Sequence, residues 1–219
     1  MLVPFHGLTA AQLEGVIAIY EEALAAPWEW PAERFREIAR TPGSRLGALA
    51  ALEADEPVGF IINEYLPASQ LWYIRYFAVR AGLRGQGWGS RILAASLPYG
   101  EDAAVQHGHE GCTGTLLEAV AFAGLPPGPA RDMGIRRQEF YRRHGAIVTG
   151  AQYPRPPDAS PDMPDFDLLF IPGRAWDGRL DSAFRRGLVR ALTVEGYAVP
   201  EDAAWLQAAL AQYAEFRAY

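Results

Sequence analysis

Residues 83 to 93 read LRGQGWGSRIL, with glycines on alternate positions at Gly85, Gly87 and Gly89. Glycine lacks a Cβ, so a turn built this way lets backbone N–H groups come close to a ligand. A strand-like run, LWYIRYFAV, precedes the turn, and an apolar helical pattern follows it. The start of such a helix adds unpaired N–H groups and the positive end of its dipole. Together these features make an anion site, and phosphate is the usual occupant. Arg84 and Arg91 bring positive charge nearby.

Three ligand classes use a turn of this kind. A Walker loop requires Gly-Lys-Ser/Thr after its last glycine, whereas Trp88-Gly89-Ser90 supplies no lysine. A dinucleotide fingerprint requires G-x-G-x-x-G at the head of a first βαβ unit. Here Ser90 stands at the third glycine position, and several strands come first. The third class is the pyrophosphate of coenzyme A. A second cluster, HGHEGC, gathers His107, His109, Glu110 and Cys112, all of them possible metal ligands. Its spacing fits no standard zinc motif and no second ligand cluster exists, so it reads as loop and no metal is expected. His144 and Cys112 individually read as structural.

The elements around these residues follow from periodicity. Thr9 can cap a helix in which Leu13, Val16, Ile17 and Tyr20 recur at helical spacing, ending near Pro27. PAERFREIAR predicts a second, short helix with Pro31 at its start. LGALAALE and PVGFIINEYL predict two strands joined by a hairpin turn at ADE, and LWYIRYFAVR a third. A helix is expected over 87–97, stopped near Pro98, with 98–114 as loop. TLLEAV then predicts a short buried strand, and GLPPGPARD a loop. IRRQEFYRRHG predicts a helix ending at Gly145. AIVTGAQY and DFDLLFIPG close the sheet across a Pro-rich connector. Two more helical stretches follow, at roughly 179–193 and 200–217. Hairpins early and strand–helix–strand–helix in the middle predict an α/β fold with a mixed, mostly antiparallel sheet of six to seven strands.

Composition bounds the class. The 219 residues suffice for one good core, and half of them are apolar. The net charge of −6 argues against a nucleic-acid or anionic-membrane partner. A single cysteine excludes an internal disulfide. No signal-like start and no membrane-length apolar run is found, and a cytoplasmic protein is expected.

The run Val79…Arg84-Gly85-Gln86-Gly87-Trp88-Gly89 resembles the Arg/Gln-x-x-Gly-x-Gly/Ala signature of the GNAT family of N-acetyltransferases. The flanking strands and FYRRHG at 140–145 fall where that family has its next elements, so the resemblance spans roughly residues 5–172. It implies the acyl-CoA N-acyltransferase fold over 1–173, with a helical extension over 174–219 that packs on the domain or a second subunit, a homodimer being open. It implies acetyl-CoA as cosubstrate and transfer of its acetyl group to a primary amine of a small molecule or an exposed amino group. A non-catalytic coenzyme A-binding module is the alternative. Cofactor contacts fall to Phe77, Ala78, Val79, Arg84, Gly85, Gln86, Gly87, Trp88, Gly89 and Ser90. Tyr141 matches the family's general acid, while Glu118 and, less well, Glu64 are candidates for the base, with a chain of waters as the alternative. The chain departs from the family pattern in carrying Gly134 where many members have asparagine, Ala146 where phenylalanine is usual, and Arg75 where glutamate is common.

Overall fold

The computed structural model describes residues 1–24, 29–41 and 46–213. Seven strands form one mixed sheet flanked by helices. In chain order the elements are β1 (Leu2–Pro4), α1 (Ala10–Ala23), α2 (Ala32–Arg40), β2 (Leu46–Glu53), β3 (Glu56–Leu66) and β4 (Leu71–Val79). They continue with α3 (Trp88–Gln106), β5 (Gly114–Val120), α4 (Pro129–Arg143), β6 (Ile147–Gln152), β7 (Phe166–Pro172), α5 (Ser182–Arg190) and α6 (Ala204–Ala211). The strand order is β1-β2-β3-β4-β5-β7-β6.

The chain divides into two compact units, Met1–Tyr65 with Ile74–Ala103 and Leu66–Tyr73 with Ala104–Tyr219. In the first, Thr9 caps α1 in a reciprocal capping box with Gln12. The β2–β3 hairpin turns through Ala54 and Asp55, both left-handed, as a two-residue turn of this twist demands. Its core stacks Phe5, Tyr20, Phe35 and Phe60 between α1, α2 and the sheet. In the second unit β7 pairs antiparallel with both β5 and β6. Leu188, Val189, Leu192, Leu206 and Leu210 of the C-terminal segment enter the same core as Leu116, Leu168 and Phe170 of the strands.

Four expectations needed correction. Strand β1, absent from the sequence reading, pairs antiparallel with β2; three residues are too few to carry a period. Helix α3 does not stop at Pro98 but runs through it to Gln106. Pro98 lies on the exposed face, while Ile92, Leu93, Ser96, Gly100 and Ala104 keep a buried stripe at helical spacing on either side of it. Packing of that stripe outweighs the one hydrogen bond that proline withholds from Ala94. Helix α4 begins at Pro129, six residues early, because Gly128 (φ 150°) turns the chain and proline suits a first helical position. The C-terminal helices are shorter than expected. α5 passes into a π-helical turn at Ala191–Gly196, and α6 ends at Ala211. Residues 214–217 of the expected last helix lie outside the described residues.

One glycine in β3 sets how close α3 comes to the sheet. A Cβ on Gly59 would stand 2.7 Å from the carbonyl oxygen of Ala78 and 2.8 Å from Cδ1 of Ile92. Gly59→Ala is therefore expected to lower stability by about 1–3 kcal/mol, the usual cost of overpacking, read as a reduced urea midpoint at unchanged slope.

Candidate functional site

The glycine loop leads from the end of β4 into α3. Gly85 (φ 79°) and Gly87 (φ 82°) are both left-handed, and a Cβ on either would meet nothing within 4 Å. The loop thus has the conformation only glycine adopts cheaply, with open space in front of its backbone. The amide of Arg91 donates to the carbonyl of Gly87 (3.2 Å), which starts the helical ladder there. The N–H groups of Trp88, Gly89 and Ser90 belong to the first turn, where an α-helix offers no internal acceptor. Two side chains brace the loop. Arg84 donates through Nε to the carbonyl of Val79 (3.0 Å), and Gln86 donates to that of Gly82 (3.3 Å). The Arg91 guanidinium lies 5.0 Å from the ring centre of Trp88. Phe77 and Val79 alternate with buried Ala78 along the last residues of β4. All ten expected cofactor-binding positions therefore lie on one continuous stretch of the first unit.

Glu64 and Arg75, on the neighbouring strands β3 and β4, form a buried ion pair. Nε and Nη2 of Arg75 both donate to Oε2 of Glu64, at 2.7 and 2.6 Å, with side-chain exposures of 9% and 5%. The indole of Trp30 lies 5.1 Å from the guanidinium. Beside this pair Tyr76 donates to the carboxylate of Glu29 (2.8 Å) and accepts from the amide of Trp30 (3.3 Å). Burial pushes the Glu29 carboxyl above the usual carboxylate range, although the Tyr76 bond opposes it. Sequence reasoning missed Glu29, because nothing in PWEW marks a carboxylate that folding will bury.

In the second unit, Glu118 projects from β5 and is half-buried. Its Oε2 accepts from the hydroxyls of Tyr73 (2.5 Å) and Tyr197 (2.7 Å). Tyr141 is buried on α4, its ring edge-on to Phe140. Burial raises the Tyr141 pKa, so its hydroxyl keeps its proton at neutral pH; the charge of Arg137 opposes the shift. A Cβ on Gly134 would lie 3.0 Å from Cβ of Phe122, a contact that any larger residue there would have to relieve by a small shift. The thiol of Cys112 is buried and points at the carbonyls of Gly114 (3.2 Å) and Gln70 (3.4 Å). Among the described residues no three histidine, cysteine, aspartate or glutamate side chains converge as a metal site would require, and no helix is long and apolar enough to cross a membrane.

Residues 16–123 match the model of the acetyltransferase (GNAT) family. The chain carries a GNAT-family domain. Solved structures agree on the fold. A GNAT-family protein from Bacteroides thetaiotaomicron superposes with a TM-score of 0.61 at 21% identity, over 91% of this chain and 99% of the other. The ribosomal-protein-S18-alanine N-acetyltransferase of Escherichia coli follows at 0.53 and 16%, over 78% and 92%. An aminoglycoside 6′-N-acetyltransferase complexed with coenzyme A gives 0.53 and 15%, over 80% and 96%. Among curated proteins none matches the sequence.

Two departures from the family pattern meet close packing partners. Arg75 serves as the counter-ion of buried Glu64. Gly134 stands where a Cβ would press on Phe122, so asparagine would need that neighbour to give. Nothing in the structure explains Ala146 in place of phenylalanine.

The raised Glu29 pKa fixes the sign of a pH effect. The folded state holds the Glu29 proton more tightly than the unfolded chain. Its contribution to stability is present in full below the unfolded value and is lost as pH rises through the folded one. Glu29→Gln keeps an acceptor for Tyr76 and removes the charge. It is expected to raise Tm at pH 7 and leave it unchanged at pH 4, measured by thermal melts at both values.

Proposed function

We propose that the chain is a cytoplasmic, acetyl-CoA-dependent N-acetyltransferase that transfers the acetyl group directly to a primary amine of a small molecule or an exposed amino group. The observation that carries this reading is the pair of left-handed glycines with open space before them at the head of α3. A Cβ would fill that space, and a pyrophosphate would use it. The likeness to a structure complexed with coenzyme A supports the same cosubstrate.

The chemistry divides among named groups. The amides of Gly85 to Ser90 bind the pyrophosphate, with Arg84 and Arg91 adding charge. Backbone groups of Phe77, Ala78 and Val79 hold the pantetheine arm and donate to the thioester oxygen as it gains charge. The acceptor amine, with a pKa near ~10, gives up a proton before or as it attacks, and Glu118 takes that proton. The C–N bond forms, the C–S bond breaks, and Tyr141 protonates the departing thiolate. A hydroxyl that stays protonated at neutral pH suits that donation.

Two variants test these assignments. Gly87→Val puts a branched side chain on a left-handed residue in an open loop. It should still fold, at some cost in stability from the left-handed backbone, and lose coenzyme A binding, and calorimetry showing unchanged affinity in the folded variant would exclude the loop as the cofactor site. Tyr141→Phe keeps the ring and removes the hydroxyl. At saturating acetyl-CoA, free-thiol release with a panel of amines should fall by roughly 10- to 1,000-fold, around the usual span for a general acid. Coenzyme A affinity should not change. Turnover equal to that of the parent chain would remove Tyr141 from the mechanism.

A further inference from the structure

Strand β6 stands at one end of the sheet, with β7 as its one neighbour among the described strands. An edge strand presents backbone N–H and C=O groups to any chain that comes alongside. The opposite edge, β1, is three residues long and ends in Pro4, which has no N–H to offer. Strand β6 has six residues and carries an apolar side chain, Val148, that is 42% exposed. It is the edge on which a second chain could extend the sheet.

Side chains occupy the backbone of that edge. The register with β7 shifts between Val148 and Gln152, where Gly150 is left-handed at φ 73°. Inside this bulge the Thr149 hydroxyl donates to the carbonyl of Leu168 (2.7 Å) and accepts from the amide of Ala151 (3.0 Å). The carbonyl of Thr149 accepts from Nε of Arg185 on α5 (2.7 Å). A Cβ on Gly150 would stand 3.7 Å from the same Nε, so the guanidinium lies along the bulge. The amide of Tyr153 donates to Phe166 of β7 (2.9 Å). Backbone direction alternates along a strand, so the amide of Gln152 points away from β7. It donates to the hydroxyl of Tyr213, just beyond α6 (3.0 Å). Both outer contacts come from the C-terminal segment, which is firmly seated. Asp181 caps α5 through the Phe184 amide (2.9 Å), and Leu188, Val189, Leu206 and Leu210 share a core with Ala151 of β6.

We infer that β6 is a self-association edge closed from within by Arg185 and Tyr213, and that it pairs with β6 of a second copy of this chain once those two contacts are removed. A bulge and a covering helix are the usual means of blunting an edge, and here the C-terminal segment supplies the cover. The partner is a second copy because β6 against β6, antiparallel about a two-fold axis, offers the same groups from both sides. Such pairing would bond the carbonyl and amide that Arg185 and Tyr213 now hold, and would cover Val148. The acetyltransferase reading plays no part in this inference.

The test uses the full chain in sedimentation equilibrium over a range of concentrations. Arg185→Met keeps the aliphatic stem and removes the donor, and Tyr213→Phe keeps the ring and removes the hydroxyl. The double variant should gain the mass of one further copy as concentration rises. Adding Val148→Lys, a charge on the edge, should abolish that gain. In the parent chain Val148→Lys should leave the mass unchanged. A double variant that keeps the parent's mass at every concentration overturns the inference, and so does a gain that survives Val148→Lys. A parent that associates and is dissociated by Val148→Lys also overturns it, because its edge is then already open. Hydrogen–deuterium exchange at the Gln152 amide gives a reading that does not require the double variant to fold. In Tyr213→Phe alone that exchange should quicken about two- to tenfold, the range for one hydrogen bond. Exchange unchanged from the parent overturns the inference.

Discussion

An α-helix leaves its first N–H groups without partners, and in this chain that constraint organises the first unit. Helix α3 starts in an open loop, with empty space before the left-handed backbone of Gly85 and Gly87. A helix start that opens onto such space favours a ligand that brings negative charge with it. The glycines before it supply the left-handed turns that aim the loop, and Gly59 lets α3 lie close against β3 and β4. Bulk at any of these points would move the N–H groups or obstruct access to them.

A different constraint shapes the second unit. A half-buried carboxylate must be satisfied by hydrogen bonds. Glu118 receives them from residues far apart in the chain, Tyr73 at the start of β4 and Tyr197 beyond α5. The C-terminal segment is therefore more than an appendage. Its leucines complete the core beneath β5 and β7, and its tyrosine completes the polar group above. The carboxylate of Glu64 is satisfied differently, by a guanidinium on the adjacent strand. Glu118 is bonded by two phenol hydroxyls, neutral groups that a substrate could replace or join.

What was legible in the sequence was local. The alternation through β2, β3 and β4, the Thr9 cap, the hairpin at Ala54–Asp55 and the glycine loop all show in short windows. Helix α3 was misread because proline is a local breaker, whereas the buried stripe on both sides of Pro98 is a property of the packed helix. The partners of Glu118 could not be read because Tyr197 lies at a sequence separation of 79 and no motif links the two. Arg75 looked like a loss of chemistry, and folding turned it into a counter-ion. Strand β5 showed that Glu118 sits among apolar residues, without showing which groups would surround it.

The central claim is that the backbone from Gly85 to Arg91 holds the pyrophosphate of coenzyme A. Hydrogen–deuterium exchange of the full chain, with and without saturating coenzyme A, tests it residue by residue. The account predicts that the amides of residues 85–91 become strongly protected on binding, while the exposed amides of the Pro-rich connector at 154–164 exchange as before. Coenzyme A that fails to bind, or that binds while the amides of 85–91 exchange at their original rate, would contradict it.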